Sequence, residues 1–249
     1  MLVNVLLPVY NTNPDMLAEC VLSISRQTEH RWKLIIIDDA STDKETLDYL
    51  ENLKSWTAKK KVEIHHLQKN VGEMFSRLRG KHYLDNDCEY VAFMDSDDIM
   101  LPTRFEKQVE FLNDCPKVDI LGTQIQRFFP VTTKHVESKD VTTKHPLNVN
   151  DCIVKEYWSI NNPTTMMRRE VVEQFNPSSI SEIQKLVGLS KNTFADYLFY
   201  LVNAKNGVQI RNLSEVLLLY RVHKDQLSLG LEYRAKPHKK IRKEFWRDT

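Results

Sequence analysis

The sequence predicts an α/β protein, with a mostly parallel central sheet flanked by helices in a single domain. Short apolar runs alternate four times with segments in which apolar residues recur at helical spacing, and parallel strands need such crossover helices. Polar or acidic residues directly follow each of the four apolar runs. Because ligands bind outside the carboxyl ends of parallel strands, the sequence predicts a binding site at that edge of the sheet.

Composition excludes several classes of protein. The chain of 249 residues is 41% hydrophobic and 28% charged, and its net charge of +1 gives no general attraction to nucleic acid. The four cysteines form no CxxC pair, which is typical of reduced thiols in a cytoplasmic protein rather than of a disulfide frame or a zinc site. We expect neither a signal peptide nor a membrane span, because Asn4 and Pro8 interrupt the apolar start and no basic leader precedes it.

The first half of the chain contains four strand–helix units. Apolar runs predict strands at residues 2–8, 34–37, 62–67 and 90–94. Pro14 after Asn13 is a typical helix start, and Thr42 with Glu45 forms a capping-box pattern before the second helix. A third helix follows the Asn70-Val71-Gly72 segment, and Pro102 begins the fourth.

Beyond residue 114 the pattern is less regular. It predicts strands at 118–122, 164–167 and 216–220 and helices at 170–175 and 194–204, with a polar loop or hairpin at 128–150 and an excursion at 176–191. We expect one domain over residues 1–230, with residues 231–249 as a basic tail. The tail is either a solvated terminal helix or linker, which we favour, or a segment that lies on an anionic membrane surface.

Three carboxylates follow the fourth strand, at Asp95, Asp97 and Asp98. Acids so close together repel one another unless a cation or solvent relieves them, and their hard oxygen atoms suit Mg²⁺ or Mn²⁺. Alternate acids of an extended segment can face one ion, so Asp95 and Asp97 are the candidate ligands. A solvated turn that caps the next helix is the other interpretation. The chain has only six glycines and no glycine-rich phosphate loop, which leaves more of the phosphate binding to a metal.

Four motifs occur in sequence order: residues 8–11 (PVYN), 36–43 (IIDDASTD), 70–72 (NVG) with Arg77 and Gly80, and 94–98 (MDSDD). Together they resemble the motifs of the family 2 glycosyltransferases of the GT-A fold. The resemblance implies a Rossmann-like GT-A domain over residues 1–230, with a nucleotide-sugar-binding half at 1–98 and an acceptor-binding half at 99–230. It also implies an inverting transferase that uses a divalent cation and acts on a glycan or lipid-linked acceptor.

The resemblance assigns roles in nucleotide-sugar binding to one set of residues. The set comprises Pro8, Tyr10, Asn11, Asp39, Asn70, Arg77, Asp95 and Ser96. Tyr10 would stack on the base, Asp39 would accept the imide N–H of the base, and Arg77 would contact the base or a phosphate. Asp95 would reach the ribose or the metal, and Asp97 would ligate the metal on the diphosphate. An imide acceptor favours UDP or dTDP over GDP as the nucleotide.

Two residues of the second half complete the implied site. Asp196, in the stretch 194–199, matches the catalytic base of the family, which an inverting transferase needs in order to deprotonate the acceptor hydroxyl. Ala195 departs from the pattern, because a glutamate is common at that position, and a helix-start aspartate is the plainer interpretation of Asp196. His223 matches a late histidine that reaches the metal or the diphosphate, and residues 162–168 match the acceptor-side strand.

Two other functions are open on the sequence alone. A haloacid dehalogenase-like phosphatase also places Asp-x-Asp after an apolar strand, but Asp98-Ile99 stands where that class has a threonine or valine, and the motif lies far from the start. A non-catalytic binder of sugar nucleotides or glycans would explain Ala195.

Overall fold

A nine-stranded sheet organises the protein, which a computed structural model describes at residues 2–56, 61–129, 141–154, 159–190, 193–224, 226 and 235–246. Eight strands follow one another in the order β3-β2-β1-β4-β8-β6-β9-β5, and β7 pairs with β6 beside this path. The order reverses direction at β1, between the crossovers that lead to β2 and to β4. Such a switch point opens a crevice at the carboxyl ends of the strands.

The four strands predicted for the first half are confirmed, and they pair in parallel. They are β1 (Val3–Val9), β2 (Trp32–Asp38), β3 (Val62–His66) and β4 (Tyr90–Phe93). Alternate residues of β1 enter different apolar clusters: Leu6 packs on one face of the sheet, and Val5 and Leu7 pack on the other. Because helices cover both faces, β1, β2 and β4 are buried along their whole length and are mainly apolar rather than alternating, whereas β3 is partly exposed and more polar.

Three helices connect these strands: α1 (Pro14–Ser25), α2 (Lys44–Trp56) and α3 (Glu73–Arg79). Asn13 caps α1 as predicted, since its side chain accepts hydrogen bonds from the backbone of Asp15 and Met16. The predicted capping box at Thr42 and Glu45 is wrong. The helix α2 begins at Lys44, and the carboxylate of Asp43 accepts the backbone N–H of Thr46 at 2.8 Å.

The second half extends the sheet with strands of mixed direction. It contributes β5 (Ile99–Met100), β6 (Ile120–Phe128), β7 (Val141–Thr143), β8 (Met166–Arg168) and β9 (Ile210–Arg221). Strand β8 lies antiparallel between β4 and β6, so it joins the two halves. Strands β6 and β9 run on well beyond their predicted ends, because together they form a long parallel pair. The predicted hairpin is present where β7 pairs with β6, and residues 130–140 lie outside the described part of the chain.

Helices α4 (Arg104–Asp114), α5 (Arg169–Gln174) and α7 (Ala195–Lys205) lie close to the predicted positions, although α4 starts two residues after Pro102. The excursion predicted at 176–191 is instead largely a helix, α6 (Ser178–Val187). Its buried residues are Ile180, Ile183, Gln184 and Val187. This spacing of three and four residues forms an apolar stripe, which the polar composition of the segment obscured.

The basic tail contains a helix, α8 (Ala235–Phe245), that packs on the domain through α6. Ile241 is fully buried, and Phe245 and Trp246 are partly buried against the same cluster. The ammonium group of Lys205 donates to the carbonyl of Phe245 at 2.7 Å. The favoured expectation of a solvated tail is therefore wrong for this face of α8, because its apolar residues belong to the core.

We expect Ile241→Ala to lower the free energy of unfolding by about 2–4 kcal/mol, the usual cost of emptying a buried aliphatic site. Urea denaturation measures the change. Leu186→Ala is the matched control, because the Leu186 side chain on α6 is 61% exposed and its loss should change stability by less than about 0.5 kcal/mol. Equal stability of the two variants would contradict the docking of α8.

Candidate active site

The loops at the carboxyl edge of the sheet contain an unusual backbone conformation. Within the described residues, the non-glycine positions with positive φ are Asn11 (48°), Ala40 (62°) and Phe194 (58°). The first two follow β1 and β2, and the third precedes α7. Left-handed backbone is costly for residues with a Cβ, above all for an aromatic one, and such strain concentrates at functional sites. The three positions therefore mark the same edge of the sheet that the sequence indicated.

Asn11 connects the loop after β1 to the loop after β2. Its side-chain oxygen accepts the backbone N–H groups of Thr42 at 2.8 Å and Asp43 at 2.9 Å. Pro8 is buried within β1, and Tyr10 is 49% exposed at its end. The strained Asn11 thus fixes the backbone beside an accessible aromatic ring.

Asp39 connects the loop after β2 to the start of α3. Its two carboxylate oxygens accept the backbone N–H groups of Val71 and Gly72, each at 2.8 Å. Gly72 has φ of 93°, where a side chain would be strained, and this conformation lets its N–H point at Asp39. Asp39 is only 2% exposed, while Asn70 beside it is exposed. The carboxylate predicted to meet a base therefore already orders the loop that contains Asn70.

Arg77 is fully buried, so the structure gives it a position different from the expected contact with the nucleotide. Its Nη2 donates to Asp95 Oδ1 at 2.5 Å and to the carbonyl of Met94 at 3.1 Å. Its guanidinium carbon lies 4.9 Å from the centre of the Phe93 ring. Arg77 consequently fixes both the backbone at the end of β4 and the side chain of Asp95 by hydrogen bonds.

The acidic segment after β4 contacts the end of β9. Oδ2 of Asp97 lies 2.9 Å from Nε2 of His223, and the carbonyl of Asp97 accepts a hydrogen bond from Arg221 Nε at 2.6 Å. Oδ1 of Asp98 accepts the backbone N–H of Arg221 at 2.8 Å. Ser96 instead contacts the loop after β1, where its hydroxyl lies 2.7 Å from that of Thr12. The structure thus brings Asp97 and His223 together across 126 residues of sequence.

The charges of this segment are mutually unfavourable. Burial, followed by the charges of Asp97 and Asp95, raises the pKa of Asp98 well above its usual value. Burial also raises the pKa of Asp95, with the charge of Asp97 adding to the rise and Arg77 opposing it. A cation at this edge would relieve the repulsion.

The side chains of Asp97 and His223 fit a divalent cation as a small set of ligands. Within the described residues no group of three or more His, Cys, Asp or Glu is arranged to hold a metal. Nδ1 of His223 is buried with no hydrogen-bond partner among those residues. Mg²⁺ and Mn²⁺ are commonly bound by one or two protein side chains, with phosphate oxygens and waters completing the shell.

Asp196 lies in the first turn of α7, which packs against α3. The charge of Asp196 acts on Glu73 of α3, a residue that the sequence motifs do not single out. Desolvation of the carboxyl beside the buried Arg77 raises the pKa of Glu73 above its usual value, and the charges of Asp95 and Asp196 add to the rise, with Arg77 opposing it. Arg77 contacts both Glu73 and Asp95, and α7 packs against α3, so α3 connects the acidic edge with the helix that contains the candidate base.

The predicted site residues thus separate into three groups. Asn11, Asp39 and Arg77 hold loops and side chains in place, and Tyr10 and Asn70 are exposed at the edge. The third group comprises Asp95, Asp97 and His223 beside the end of β4, and Asp196 at the start of α7. Glu73 was missed because an acid in the first turn of a helix is an ordinary response to the helix dipole.

The fold is that of a GT-A glycosyltransferase domain. The sequence profile described as glycosyl transferase family 2 matches residues 4–175, and the chain therefore belongs to that family. The match confirms the resemblance drawn from the motifs. It also overturns the haloacid dehalogenase-like alternative, because the acidic segment after β4 lies inside the matched region.

Curated relatives align over nearly the whole chain. An uncharacterized glycosyltransferase of Haemophilus influenzae is 29% identical over 98% of this chain and 72% of its own length. The Escherichia coli protein WfaP is 26% identical over 91% of this chain and 80% of its own length. WfaP is named as a UDP-Glc:alpha-D-GlcNAc-diphosphoundecaprenol beta-1,3-glucosyltransferase.

Solved structures share the fold. S. aureus TarS 1–349 in complex with UDP matches with a TM-score of 0.63 and 20% identity, over 89% of this chain and 61% of that one. The same protein in complex with UDP-GlcNAc matches with a TM-score of 0.62 and 18% identity, over 91% of this chain and 60% of that one. The present chain therefore spans about three-fifths of the length of the solved TarS chains. In the described part of the present chain, no helix has the length and apolar character needed to span a membrane.

Proposed function

We propose that the domain transfers a sugar, with inversion, from a nucleoside diphosphate sugar to a hydroxyl of a glycan or lipid-linked acceptor. The observation that supports the proposal is the meeting of two elements at α3: Arg77 of α3 contacts Asp95 at the end of β4, and α7, which contains Asp196, packs against the same helix. The end of β4 would offer ligands for a cation and a diphosphate. The start of α7 would offer a carboxylate for the acceptor.

The donor would lie along the edge formed by β1, β2 and β4. Tyr10 is accessible for stacking on the base, and the Asp39-ordered loop with Asn70 borders the same place. Asp97 and His223 would hold a divalent cation, Mn²⁺ or Mg²⁺, with Asp95 beside them. A bound cation of this kind neutralises the leaving diphosphate. Arg77 would act through Asp95, whose carboxylate it orients.

Asp196 would accept the proton of the acceptor hydroxyl. In an inverting reaction the hydroxyl attacks the anomeric carbon on the side opposite the departing diphosphate, and the proton leaves the hydroxyl as the new bond forms. Asp196 projects from the first turn of a helix whose other residues are largely buried, and this anchoring fixes its backbone. The fixed position of the carboxylate would then make it an effective base.

The names of the relatives support this class of donor and acceptor. TarS has been solved with UDP and with UDP-GlcNAc, and WfaP is named for a UDP-sugar and a lipid-linked acceptor. The exposed basic residues of α8, Lys240, Arg242 and Lys243, offer a surface on which an otherwise cytoplasmic enzyme would meet such an acceptor at an anionic membrane.

A thermal-shift panel of nucleotide sugars, with and without Mn²⁺, tests the proposal. A ligand present at about 100 times its Kd stabilises a protein by about 2.7 kcal/mol, which raises the melting temperature by several degrees. We expect a selective rise with one nucleotide sugar, and only in the presence of the metal. No rise with any member of the panel would contradict donor binding.

We expect UDP or dTDP to bind more tightly than GDP. Asp39 is suited to an imide N–H and Tyr10 to a flat ring, and both pyrimidines offer these features. Guanine offers an N–H as well, so the expected preference is modest, about tenfold or 1.4 kcal/mol. Competition binding of UDP, dTDP and GDP measures it, and tighter binding of GDP would overturn the assignment.

A non-catalytic binder of nucleotide sugars is the second candidate. Ala195 favours it, because the family commonly has a glutamate there, next to the base. Ala195 is buried in the present chain, at 4% exposure, so it contributes packing and no polar group to the cleft.

A further inference from the structure

A continuous series of polar contacts runs from the end of β4 to α7. Arg77 Nη2 donates to Asp95, and Arg77 Nη1 lies 3.1 Å from Oε1 of Glu73. The same Glu73 oxygen accepts a hydrogen bond from Asn162 Nδ2 at 3.0 Å. Oδ1 of Asn162 in turn accepts the hydroxyl of Tyr200 at 2.8 Å. Four side chains therefore connect the acidic edge to α7, and the last three of them, Glu73, Asn162 and Tyr200, are here named the Glu73 bridge.

Tyr200 connects the bridge to the candidate base. It lies four residues after Asp196 on α7, and residues at this spacing occupy the same face of a helix. Tyr200 is 2% exposed, and its hydroxyl also lies 3.0 Å from that of Thr165, just before β8. Because both partners of this hydroxyl precede β8, the tyrosine fixes the rotation of α7 about its axis. That rotation determines where Asp196 points.

We propose that Glu73 is a positioning residue for acceptor activation: through Asn162 and Tyr200 it holds the Asp196 face of α7 at a fixed place relative to the Arg77–Asp95 pair. The catalytic part of this inference rests on the proposed function. The bridge itself is a feature of the fold. Glu73 then acts through Asp196, without touching the acceptor.

The geometry favours positioning over simple stabilisation of α3. An acid that serves only the helix dipole needs no partner beyond the first turn, whereas Glu73 contacts Asn162, 89 residues later in the chain. Its side chain is 38% exposed, and it faces a fully buried arginine. Glutamine has the same length and keeps an oxygen that accepts from Asn162, so Glu73→Gln preserves the bridge and Glu73→Ala removes it.

The test is steady-state transfer by the full chain, with kcat and donor KM measured separately. A misplacement of about 1 Å costs on the order of 10²-fold in rate, so Glu73→Ala should lower kcat about 10- to 100-fold. Donor KM should change less than about threefold, and Glu73→Gln should restore kcat to within about threefold of wild type. Glu63→Ala is the matched control, because the Glu63 side chain on β3 is 39% exposed and pairs with the buried Lys33 of β2 at 2.8 Å. Its kcat should stay at the wild-type value.

A double-mutant cycle tests whether the residues act as one unit. Tyr200→Phe removes the hydroxyl that reaches Asn162, and we expect it to add little to the loss caused by Glu73→Ala. Tyr90→Phe is the control for losing a buried tyrosine hydrogen bond, since Tyr90 donates to Asn113 at 2.6 Å at the start of β4. In the variant that combines Tyr90→Phe with Glu73→Ala, the fold-loss in kcat should equal the product of the two single fold-losses. A wild-type kcat in Glu73→Ala, or independent effects of Glu73 and Tyr200, would overturn the proposal.

Amide hydrogen exchange separates this inference from the proposed function. Loss of the bridge should speed exchange of the α7 backbone in Glu73→Ala and leave it unchanged in Glu63→Ala. If the wild-type protein released no nucleotide from any donor, the proposed function would fail. Faster exchange of the α7 amides in Glu73→Ala would still support the bridge in that case. Unchanged exchange in Glu73→Ala would overturn the bridge whatever the activity.

Discussion

The variant Asp196→Asn should lose about 10²- to 10⁴-fold in kcat for sugar transfer, because that is the usual contribution of a positioned general base. The amide keeps the size of the side chain but does not accept the proton of the acceptor hydroxyl. In the proposed function, groups other than Asp196, at the ends of β1, β2 and β4, would hold the nucleotide. Donor KM and UDP affinity should therefore stay within about threefold of the wild-type values.

A radiolabelled-sugar transfer assay measures the loss, and titration calorimetry with UDP measures the binding. Asp114→Asn is a matched control, because Asp114 is exposed at the end of α4, next to the Asn113 that contacts the start of β4. Its transfer rate should equal that of the wild type. A near wild-type rate in Asp196→Asn would show that another residue is the base.

Removal of the metal, or of its ligand, should abolish most nucleoside diphosphate binding. Asp97 and His223 are the pair that fits the cation, and within the described residues no larger set of ligands is present. The chain also lacks a glycine-rich loop to bind the phosphates. We expect EDTA to weaken UDP binding at least about tenfold, and Asp97→Asn to do the same in the presence of Mn²⁺.

Calorimetry of the wild type with Mn²⁺, with EDTA and with EDTA followed by excess Mn²⁺ distinguishes metal loss from damage to the protein. Affinity should return on adding the metal back to the wild type, and a much smaller recovery is expected of Asp97→Asn. His223→Ala should resemble Asp97→Asn, which tests the pair as a unit. Unchanged affinity in EDTA and in Asp97→Asn would remove the cation from the mechanism.

Local patterns in the sequence were sufficient for the first half of the fold. Three of the four parallel strands, β1, β2 and β4, are mainly apolar runs buried on both faces of the sheet, and the Asn13 cap follows from adjacent residues. The cap of α2 differs from the prediction because Asn11, 32 residues before Asp43, accepts the backbone N–H of Asp43 and fixes the chain there. The carboxylate of Asp43 then accepts the backbone N–H of Thr46 in the first turn of the helix. Short-range rules describe isolated helix starts and do not include such partners.

The second half depends on contacts that are distant in sequence. The helix α6 forms where a mainly polar segment can bury Ile180 and Ile183, and α8 is fixed by Ile241 against that helix. Nothing in the local sequence of either segment identifies the residues against which it packs. The motif that contains Arg77 predicts a contact with the nucleotide, whereas Glu73 and Asp95 pair with its guanidinium in the buried position that it occupies.

The candidate site also contains residues that the sequence predicts and residues that only the tertiary structure identifies. The acidic segment, Asp196 and His223 are predicted site residues because each stands in a family motif, and they remain predictions. The Glu73 bridge was missed because Asn162 and Tyr200 meet Glu73 only after β8 has inserted between β4 and β6. Sequence motifs therefore identified the groups that would react, and tertiary structure was needed to find those that hold them.

Release of nucleoside diphosphate from a nucleotide sugar is the measurement that tests catalysis most directly. The wild-type protein is incubated with Mn²⁺ and the nucleotide sugar that stabilises it most, and the released diphosphate is quantified by chromatography with Asp97→Asn as the reference. We predict slow release by the wild type without acceptor, since water can take the place of the acceptor hydroxyl, and none above background by Asp97→Asn. A wild-type protein that binds the donor tightly and releases no diphosphate, with water or with any glycan acceptor, would instead be a binding protein.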